Sequence, residues 1–227
     1  MKPTPNSLVL HRSILYNKKM DKTTLWYFAD PMCSWCWGFT TVLEEIEEAF
    51  RDRLQTRLVM GGLRPGAKEP LSPDLRKEIL HHWHEVEKWT GQVMSYDNAM
   101  PDGFVYDTEP PSRAVVAVSG LLPGAERPFF KLVQAAFYME GWDVTKTEVL
   151  GGLAQRAGMD AGAFLSVFES DEAREGTLAQ FRHSREWGVT GFPTVILQKG
   201  EEFGKLTQGY RPFDDLKPLI EGWMEGK

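Results

Sequence analysis

The chain has 227 residues, of which 42% are hydrophobic, and its formal net charge of −6 comes from 26 Lys and Arg against 32 Asp and Glu. This apolar content supports a packed core without disulfides, in one large domain or one domain carrying an insertion. The mild acidity argues against nucleic acid as a partner, because phosphate binding needs clustered positive charge. No apolar run reaches the roughly 18 residues of a membrane helix, so no membrane partner is expected.

Residues 1–20 are predicted to form a flexible leader, with Met20 as an alternative start. Their apolar triplet, Leu8-Val9-Leu10, is followed directly by basic residues. A secretory signal needs a longer apolar segment and a small-residue cleavage site. No such signal is therefore predicted, and we expect a cytoplasmic protein.

A strand, a cysteine pair, a helix and a second strand follow in that order. Residues 23–29 form a short apolar, β-prone run that predicts a buried strand, ended by Asp30-Pro31. From Phe39 to Phe50, apolar residues recur every three or four positions opposite a cluster of glutamates, which predicts an amphipathic helix. Leu58 to Met60 predict the second strand, closed by Gly61-Gly62.

The middle of the chain is predicted to be helical, with one long loop. A helix begins at Ser72-Pro73-Asp74, where a capping serine, a proline and an acid fit a first turn, and it stops near Gly91. Residues 92–111 are rich in Pro, Gly, Asp and Asn and predict a loop, which we expect to border the functional site because loops of this length are usually functional. Further helical patterns cover residues 112–122, 127–140, 145–157, 160–169 and 171–187.

The C-terminal part returns to strand character. It contains a strand at Val195 to Leu197, a turn at Lys199-Gly200, a hairpin partner at residues 203–206 and a helix at 212–224. The whole pattern predicts an α/β fold in which an all-helical insertion splits a sheet domain. We assign residues 21–62 and 188–227 to the sheet domain, and residues 63–187 to the insertion, with a long connecting helix at its end.

The two cysteines, Cys33 and Cys36, lie between a predicted strand and helix. A structural disulfide framework would scatter cysteines along the chain, so the pair indicates redox chemistry or half of a metal site. At a helix N-terminus, unpaired backbone N–H groups and the helix dipole favour the Cys33 thiolate, which is the attacking species. Cys36, one turn further on, can then attack a mixed disulfide at Cys33 and release the partner. Ser34 and Trp35, in the first turn, are expected to tune the redox potential.

Two alternatives give the pair no redox role. Structural zinc usually takes four ligands, and a second cysteine pair is absent. His81 and His84 would share a helix face, but with His82 they look like ordinary helix surface, so no metal site is predicted. The other alternative is two buried, inert thiols, because free cysteine often packs as a small hydrophobic residue.

A second motif, Gly191-Phe192-Pro193-Thr194, puts a proline at the entrance to the strand of Val195. A central strand tolerates proline poorly, because proline has no N–H to donate. A cis Phe192–Pro193 bond would resolve this conflict and leave the backbone of Phe192 free to pair with an extended peptide. Taken alone, the motif is also consistent with a simple turn.

Together the two motifs resemble the thioredoxin superfamily: Cys33-Ser34-Trp35-Cys36 follows a strand, and Thr190 to Thr194 precede a later one. The helical block between them resembles the DsbA-like branch. The segments DPMCSWCWGF, GGLRPG, TEPPSRAV and QAAFYMEGWDVTKTEVLGGLAQRAG resemble the predicted protein-disulfide isomerase group of cytosolic DsbA-like proteins. This resemblance covers nearly everything after the leader.

The resemblance implies a thioredoxin fold, in which a central mixed sheet is flanked by helices and split by a DsbA-like helical insertion. It implies Cys33 as the nucleophile, Cys36 as the resolving thiol and Pro193 as a cis-proline beside the sulfurs. Phe192 would offer backbone contacts to substrate, and Trp35 is the better aromatic candidate for touching it. The redox-active dithiol would need no cofactor. Its partners would be protein or peptide thiols and disulfides, with glutathione or a thioredoxin-type reductant as a further partner.

Four other positions bear on the site: Tyr27, Asp30, Arg64 and Arg113. Many thioredoxin-like proteins carry an acid six residues before the first cysteine, as a proton relay, where this chain has Tyr27. The proton acceptor of Cys36 therefore stays open, with Asp30 nearer in sequence. Arg64 and Arg113 are candidates for the border of the site.

Three functions compete. Dithiol–disulfide exchange with proteins or peptides, as an oxidoreductase or isomerase, fits the cysteine pair best. A second candidate is a glutathione-dependent transferase or isomerase, because DsbA-like folds with a helical insertion resemble the kappa-class glutathione transferases and the 2-hydroxychromene-2-carboxylate isomerases. Those enzymes typically have serine in place of Cys33. The third function is a non-catalytic redox sensor. Cytosolic pools that keep dithiols reduced favour reductase or isomerase behaviour over bulk oxidation.

Overall fold

The computed structural model describes residues 22–97 and 99–226, and the predicted leader with Met20 lies outside them. The described strands are β1 (Thr23–Ala29), β2 (Leu54–Met60), β3 (Thr194–Lys199) and β4 (Glu202–Gln208). The described helices are α1 (Ser34–Gly38), α2 (Thr40–Ala49), α3 (Pro73–Thr90), α4 (Glu109–Leu121), α5 (Glu126–Tyr138), α6 (Thr147–Arg156), α7 (Ala161–Phe168), α8 (Asp171–Glu186) and α9 (Phe213–Glu225).

The strands form one mixed sheet in the order β2-β1-β3-β4. β1 runs parallel to β2 and antiparallel to β3, so that Tyr27 lies opposite both Leu58 and Val195. A strand with a neighbour on each side and both faces covered needs apolar side chains throughout, which explains the continuous apolar run of β1. The helical block between β2 and β3 completes the predicted thioredoxin fold with its helical insertion, and this prediction is confirmed.

Two boundaries differ from the sequence prediction for identifiable reasons. β2 begins at Leu54 rather than Leu58, because it is an edge strand whose polar residues Gln55 and Arg57 face solvent. Helix α4 begins at Glu109 rather than residue 112, because prolines fit the first helical turn, where no backbone N–H is needed. The long loop is therefore shorter than predicted.

The helical block contacts the sheet domain at both ends of the insertion. At its start, α3 packs so closely on α1 that a Cβ added at Gly38 would lie 2.9 Å from Cγ2 of Thr90. At its end, Oε1 of Gln180 in α8 accepts a hydrogen bond of 2.8 Å from the backbone N–H of Met60. The assignment of residues 63–187 to an insertion stays a prediction. The first helix of this segment contacts α1, which carries the cysteine pair, and its last helix contacts the end of β2.

Candidate active site

The cysteine pair lies where β1 turns into a short helix. Cys33 is the N-cap residue of α1, and its carbonyl accepts the N–H of Trp37 at 3.0 Å. Its own N–H donates to the carbonyl of Asp30 at 3.1 Å, which fixes the turn. The sequence predicted one helix, but α1 ends at Gly38 and α2 begins at Thr40, with a break at Phe39. The break gives the cysteine pair a helical turn of its own, held against α3.

The two sulfurs differ in accessibility. The residue Cys33 is 6% exposed and Cys36 is fully buried, and both are free cysteines. The Cys33 thiol donates a hydrogen bond to the backbone carbonyl of Phe192, with Sγ 3.5 Å from the oxygen. Burial, reinforced by the neighbouring Cys33, raises the pKa of Cys36 well above its usual value. Only Cys33 is therefore open to a partner.

The proline motif lies directly beside the pair, although 159 residues separate Cys33 from Phe192. The Phe192–Pro193 peptide bond is cis. The carbonyl of Pro193 accepts the N–H of Gly209 at 2.7 Å, and the hydroxyl of Thr194 donates to the carbonyl of Gly191 at 2.7 Å. These bonds fix the loop that presents the Phe192 carbonyl to the sulfur.

Gly61, at the end of β2, makes room for the ring of Phe192. A Cβ added at Gly61 would lie only 2.0 Å from Cε1 of that ring. The N–H of Gly61 donates to the carbonyl of Ala29 at 2.7 Å, so the backbone at this point cannot easily move away. The sequence predicted that a glycine pair closes β2 but not that the first glycine seats the ring of Phe192.

We expect a Gly61→Ala substitution to destabilise the fold by about 1–3 kcal/mol, the usual cost of overpacking, because the added methyl group collides with the ring of Phe192. Urea unfolding measures the loss of stability. Gly152→Ala is the matched control, because it lies in α6 with open space around its Cβ and should stabilise by about 0.5–1 kcal/mol. Equal stabilities of the two variants would refute the proposed role of Gly61.

Asp30 ties together the backbone around the pair. Its carboxylate accepts the N–H of Met32 at 2.9 Å and the N–H of Leu63 at 2.7 Å. The side chain is fully buried, and this burial raises the pKa of Asp30 to about 6 even though both hydrogen bonds, and one from Thr108, oppose the rise. Asp30 acts on the pKa of Cys36 in two opposing ways, since a hydrogen bond from its backbone lowers that pKa and its charge raises it. A buried carboxyl with a raised pKa therefore lies beside the buried thiol.

Buried tyrosines complete the surroundings of the sulfurs. Tyr27, six residues before Cys33, donates to the carbonyl of Cys36 at 3.4 Å. Tyr106, from the long loop, donates its hydroxyl to the carbonyl of Met32. Burial raises the pKa of both phenols far above the ordinary value, so both stay protonated. The long loop therefore borders the cysteine pair, as expected. The sequence did not predict that Tyr106 makes this contact. The only indication was an aromatic residue within a loop rich in Pro and Gly.

Two concave surfaces meet at Trp35 and Phe192. The first, the thiol cavity, has a volume of about 230 Å³ and is lined by Cys33, Ser34, Arg64, Glu78, His82 and Tyr106, among others. The second, the aromatic groove, has a volume of about 550 Å³ and is lined by Trp89, Tyr210, Arg211, Pro212 and Asp215, among others. The rings of Trp35 and Tyr210 lie 6.0 Å apart. A partner of Cys33 can therefore be contacted on two sides.

The structure separates the two arginine candidates. Arg64 lines the thiol cavity, with its guanidinium carbon 5.8 Å from the centre of the Tyr106 ring. The candidate Arg113 is wrong: it is buried in the helical block, where it donates to Glu109 at 2.8 Å and to the carbonyl of Phe168 at 2.7 Å. An arginine near the start of a helix cannot be assigned from sequence alone either to a buried ion pair or to the lining of a cleft.

The described residues contain no cluster of His, Cys, Asp and Glu suited to a metal ion. His82 lies at the thiol cavity, whereas His81 and His84 line a separate depression further along α3. None of the helices in the described ranges is long and apolar enough to cross a membrane.

The chain is similar to a known protein family and to proteins of known structure. A family model for the DSBA-like thioredoxin domain matches residues 24–221. A candidate protein disulfide isomerase from Nitrosomonas europaea is 43% identical with a TM-score of 0.85, and the match covers 91% of this chain and 99% of that one. The cytosolic disulfide reductase DsbM from Pseudomonas aeruginosa is 27% identical with a TM-score of 0.73, covering 90% and 100%.

The curated relatives are more distant. The ClpXP adapter protein SpxH from Halalkalibacterium halodurans is 24% identical over 216 residues, which span 91% of this chain and 69% of the relative. SpxH from Shouchella clausii is 21% identical over 209 residues, spanning 88% and 66%. The family-model match across most of the chain, with the fold described above, shows that this protein belongs to the DSBA-like thioredoxin domain family of thiol–disulfide oxidoreductases.

Proposed function

We propose that the protein exchanges disulfides through Cys33 and Cys36. The observation that carries the proposal is the position of the Cys33 sulfur, at a helix N-cap and 3.5 Å from the Phe192 carbonyl, with Cys36 buried directly behind it. Backbone N–H groups at a helix N-terminus favour a thiolate, and the thiolate is the attacking form of cysteine. Ser34 and Trp35, in the first turn of α1, would tune the redox potential.

The reaction runs in two displacements. The Cys33 thiolate attacks one sulfur of a substrate disulfide, which forms a mixed disulfide and releases the first substrate thiol. Cys36 loses its proton and attacks the Cys33 sulfur, which releases the second substrate thiol and leaves the Cys33–Cys36 disulfide. The substrate gains two electrons and two protons, and the protein dithiol supplies both.

A polypeptide substrate is supported by the aromatic groove. Phe192 offers a backbone carbonyl beside the sulfur, as in the addition of an extended peptide to a sheet edge. The exposed ring of Trp89, 66% accessible, and the rings of Trp35 and Tyr210 offer contacts to a neighbouring apolar side chain. We propose Phe192, Pro193 and Trp35 as the substrate-contacting residues.

The reductase direction and a cytoplasmic location are supported by the similarity to cytosolic DsbM. DsbM has also been solved with GSH, in a structure 27% identical to this chain with a TM-score of 0.72. We propose that a glutathione-type thiol returns the Cys33–Cys36 disulfide to the dithiol. The protein would thus need no bound cofactor beyond its own sulfurs.

The test is insulin reduction with glutathione as the electron source. Wild type should accelerate precipitation of the insulin B chain, and Cys33→Ala should reduce the rate to the uncatalysed background. The Cys33→Ala protein must show the same unfolding transition as wild type, which separates loss of chemistry from loss of fold. A Cys33→Ala variant as active as wild type would rule out the proposed nucleophile.

A second candidate function is partner binding without turnover, and the similarity to two ClpXP adapter proteins favours it. In that case the aromatic groove would hold a partner protein and the thiols would switch the affinity. Wild type inactive toward insulin, together with partner capture that depends on the redox state, would favour this function over catalysis.

A further inference from the structure

The side chain of Arg64 lines the thiol cavity. No ion pair joins it to a carboxylate within 4.0 Å in residues 22–97 and 99–226. Its only described side-chain contact is with the ring of Tyr106, 5.8 Å from the guanidinium carbon. A guanidinium that lines a cleft beside a cysteine sulfur, with no described hydrogen bond from its N–H donors, is arranged for an anionic ligand.

The backbone that carries Arg64 is fixed from two sides. Its N–H donates to the hydroxyl of Thr108 at 3.1 Å, and its carbonyl accepts the N–H of Thr108 at 3.3 Å. Gly66, two residues on, donates to Oδ1 of Asp107 at 2.7 Å. The platform under the guanidinium is also fixed, because Tyr106 is bonded to the carbonyl of Met32, next to Cys33. Such preorganisation lowers the entropy that a ligand contact would otherwise cost.

Helix α3 supplies a charge of the opposite sign to the same cavity. Glu78 lines it together with Arg64, and 66% of the Glu78 side chain is exposed. Its one described ion-pair contact is His82, with 4.0 Å between Nε2 and the carboxylate. The cavity that Cys33 lines therefore also presents one guanidinium and one carboxylate, with the imidazole of His82 beside the carboxylate.

We infer that the thiol cavity binds a small zwitterionic thiol, with the ligand carboxylate on Arg64 and its ammonium group on Glu78. This inference rests on the proposed function and names the substrate class of its reductive half. The first thiolate attacks the sulfur of Cys33, and Cys36 leaves and takes a proton. A second thiolate attacks the bound ligand sulfur, which releases a small disulfide and restores the Cys33 thiol. Two thiols are oxidised and one protein disulfide is reduced.

The experiment compares four two- or three-carbon thiols as reductants of the oxidised protein: 2-mercaptoethanol, 3-mercaptopropionate, cysteamine and cysteine. Acid quenching, alkylation and mass spectrometry give the rate of each reduction. For each thiol, the wild-type rate is divided by the variant rate, so that the intrinsic reactivity of the thiol cancels. The variants are Arg64→Gln and Glu78→Gln, with Arg53→Gln as control, since Arg53 also lies over an aromatic ring but precedes β2 at the other end of that strand.

We expect the Arg64→Gln ratio to be about three- to fivefold larger for 3-mercaptopropionate than for 2-mercaptoethanol, the upper range of a partly exposed ion pair. For Glu78→Gln, the ratio should be larger for cysteamine than for 2-mercaptoethanol by a similar factor. Both variants should slow reduction by cysteine, and Arg53→Gln should give the same ratio for all four thiols. A purely structural role of Arg64 would slow all four thiols alike, and ratios within twofold of each other overturn the inference. Wild type that no thiol reduces would instead overturn the proposed function.

Discussion

A Cys36→Ser variant should accumulate as a covalent complex with a peptide disulfide, joined through Cys33, whereas Cys33→Ser should form no complex. The reason is the burial of the two sulfurs: Cys33 is 6% exposed at the thiol cavity, and Cys36 is inaccessible behind it. Attack from outside can reach only Cys33, and release requires a second thiolate that only Cys36 provides. A serine hydroxyl does not displace sulfur, so release from the variant should slow by about a hundredfold or more.

Non-reducing electrophoresis and mass spectrometry identify the complex, and tryptic digestion identifies the linked cysteine. The double variant Cys33→Ser/Cys36→Ser is the background control. Alkylation with iodoacetamide gives an independent check, because Cys33 should react first in wild type. A complex linked through Cys36 would reverse the assignment of the two roles, and equal trapping by both single variants would deny that they have distinct roles.

The sequence predicts those features of the fold and site that depend on residues close together in the chain. The apolar run of β1, the serine cap of α3 and the spacing of Cys33 and Cys36 each determine their structure within a few residues. The side chain of Ser72 does accept the N–H of Leu75 at 3.2 Å, as a capping serine should. The helical insertion was visible for the same reason, since each of its helices carries its own apolar period.

The remaining features depend on contacts between distant residues, which no local period encodes. Tyr106 reaches the carbonyl of Met32 across 74 residues, and the ring of Phe192 occupies the space that Gly61 leaves empty. Arg64 and Arg113 looked alike in sequence, and only the packing of the helical block turns Arg113 inward. The helix break at Phe39 follows Gly38, where α1 packs closely on Thr90 of α3, another contact between distant residues.

The sequence also could not show which group accepts the proton of Cys36. The nearest acid in sequence, Asp30, leads to a second prediction, on stability and pH. The sequence left Asp30 as a carboxylate of unknown direction, and the structure buries it between the N–H groups of Met32 and Leu63. Its pKa is raised from an ordinary 3.8 to about 6. Because the folded protein holds the proton more tightly than the unfolded chain, the stability from this group is complete below about pH 3.8. It is lost as the pH rises through about 6.

We therefore expect Asp30 to lower the stability of the folded protein by about 2–3 kcal/mol between pH 4 and pH 8, at about 1.4 kcal/mol for each pH unit by which the pKa is raised. Asp30→Asn should remove this pH dependence, because the amide does not ionise. The variant also loses one acceptor for the two backbone N–H groups, which costs about 1–3 kcal/mol at every pH. The prediction thus concerns the slope of the stability difference with pH and not its absolute value.

Urea unfolding of wild type and Asp30→Asn at half-unit steps of pH gives the difference curve. It should fall by about 2–3 kcal/mol as the pH rises from 4 to 8, with most of the fall between pH 4 and pH 6, where the unfolded chain has lost the proton and the folded protein still holds it. Asp52→Asn, an exposed acid in the turn before β2, controls for the removal of one negative charge. A curve for Asp30 that is as flat as the control would mean that the buried carboxyl ionises without penalty. Asp30 would then have no reason to take up a proton near neutral pH, and the proton released by Cys36 would have to go elsewhere.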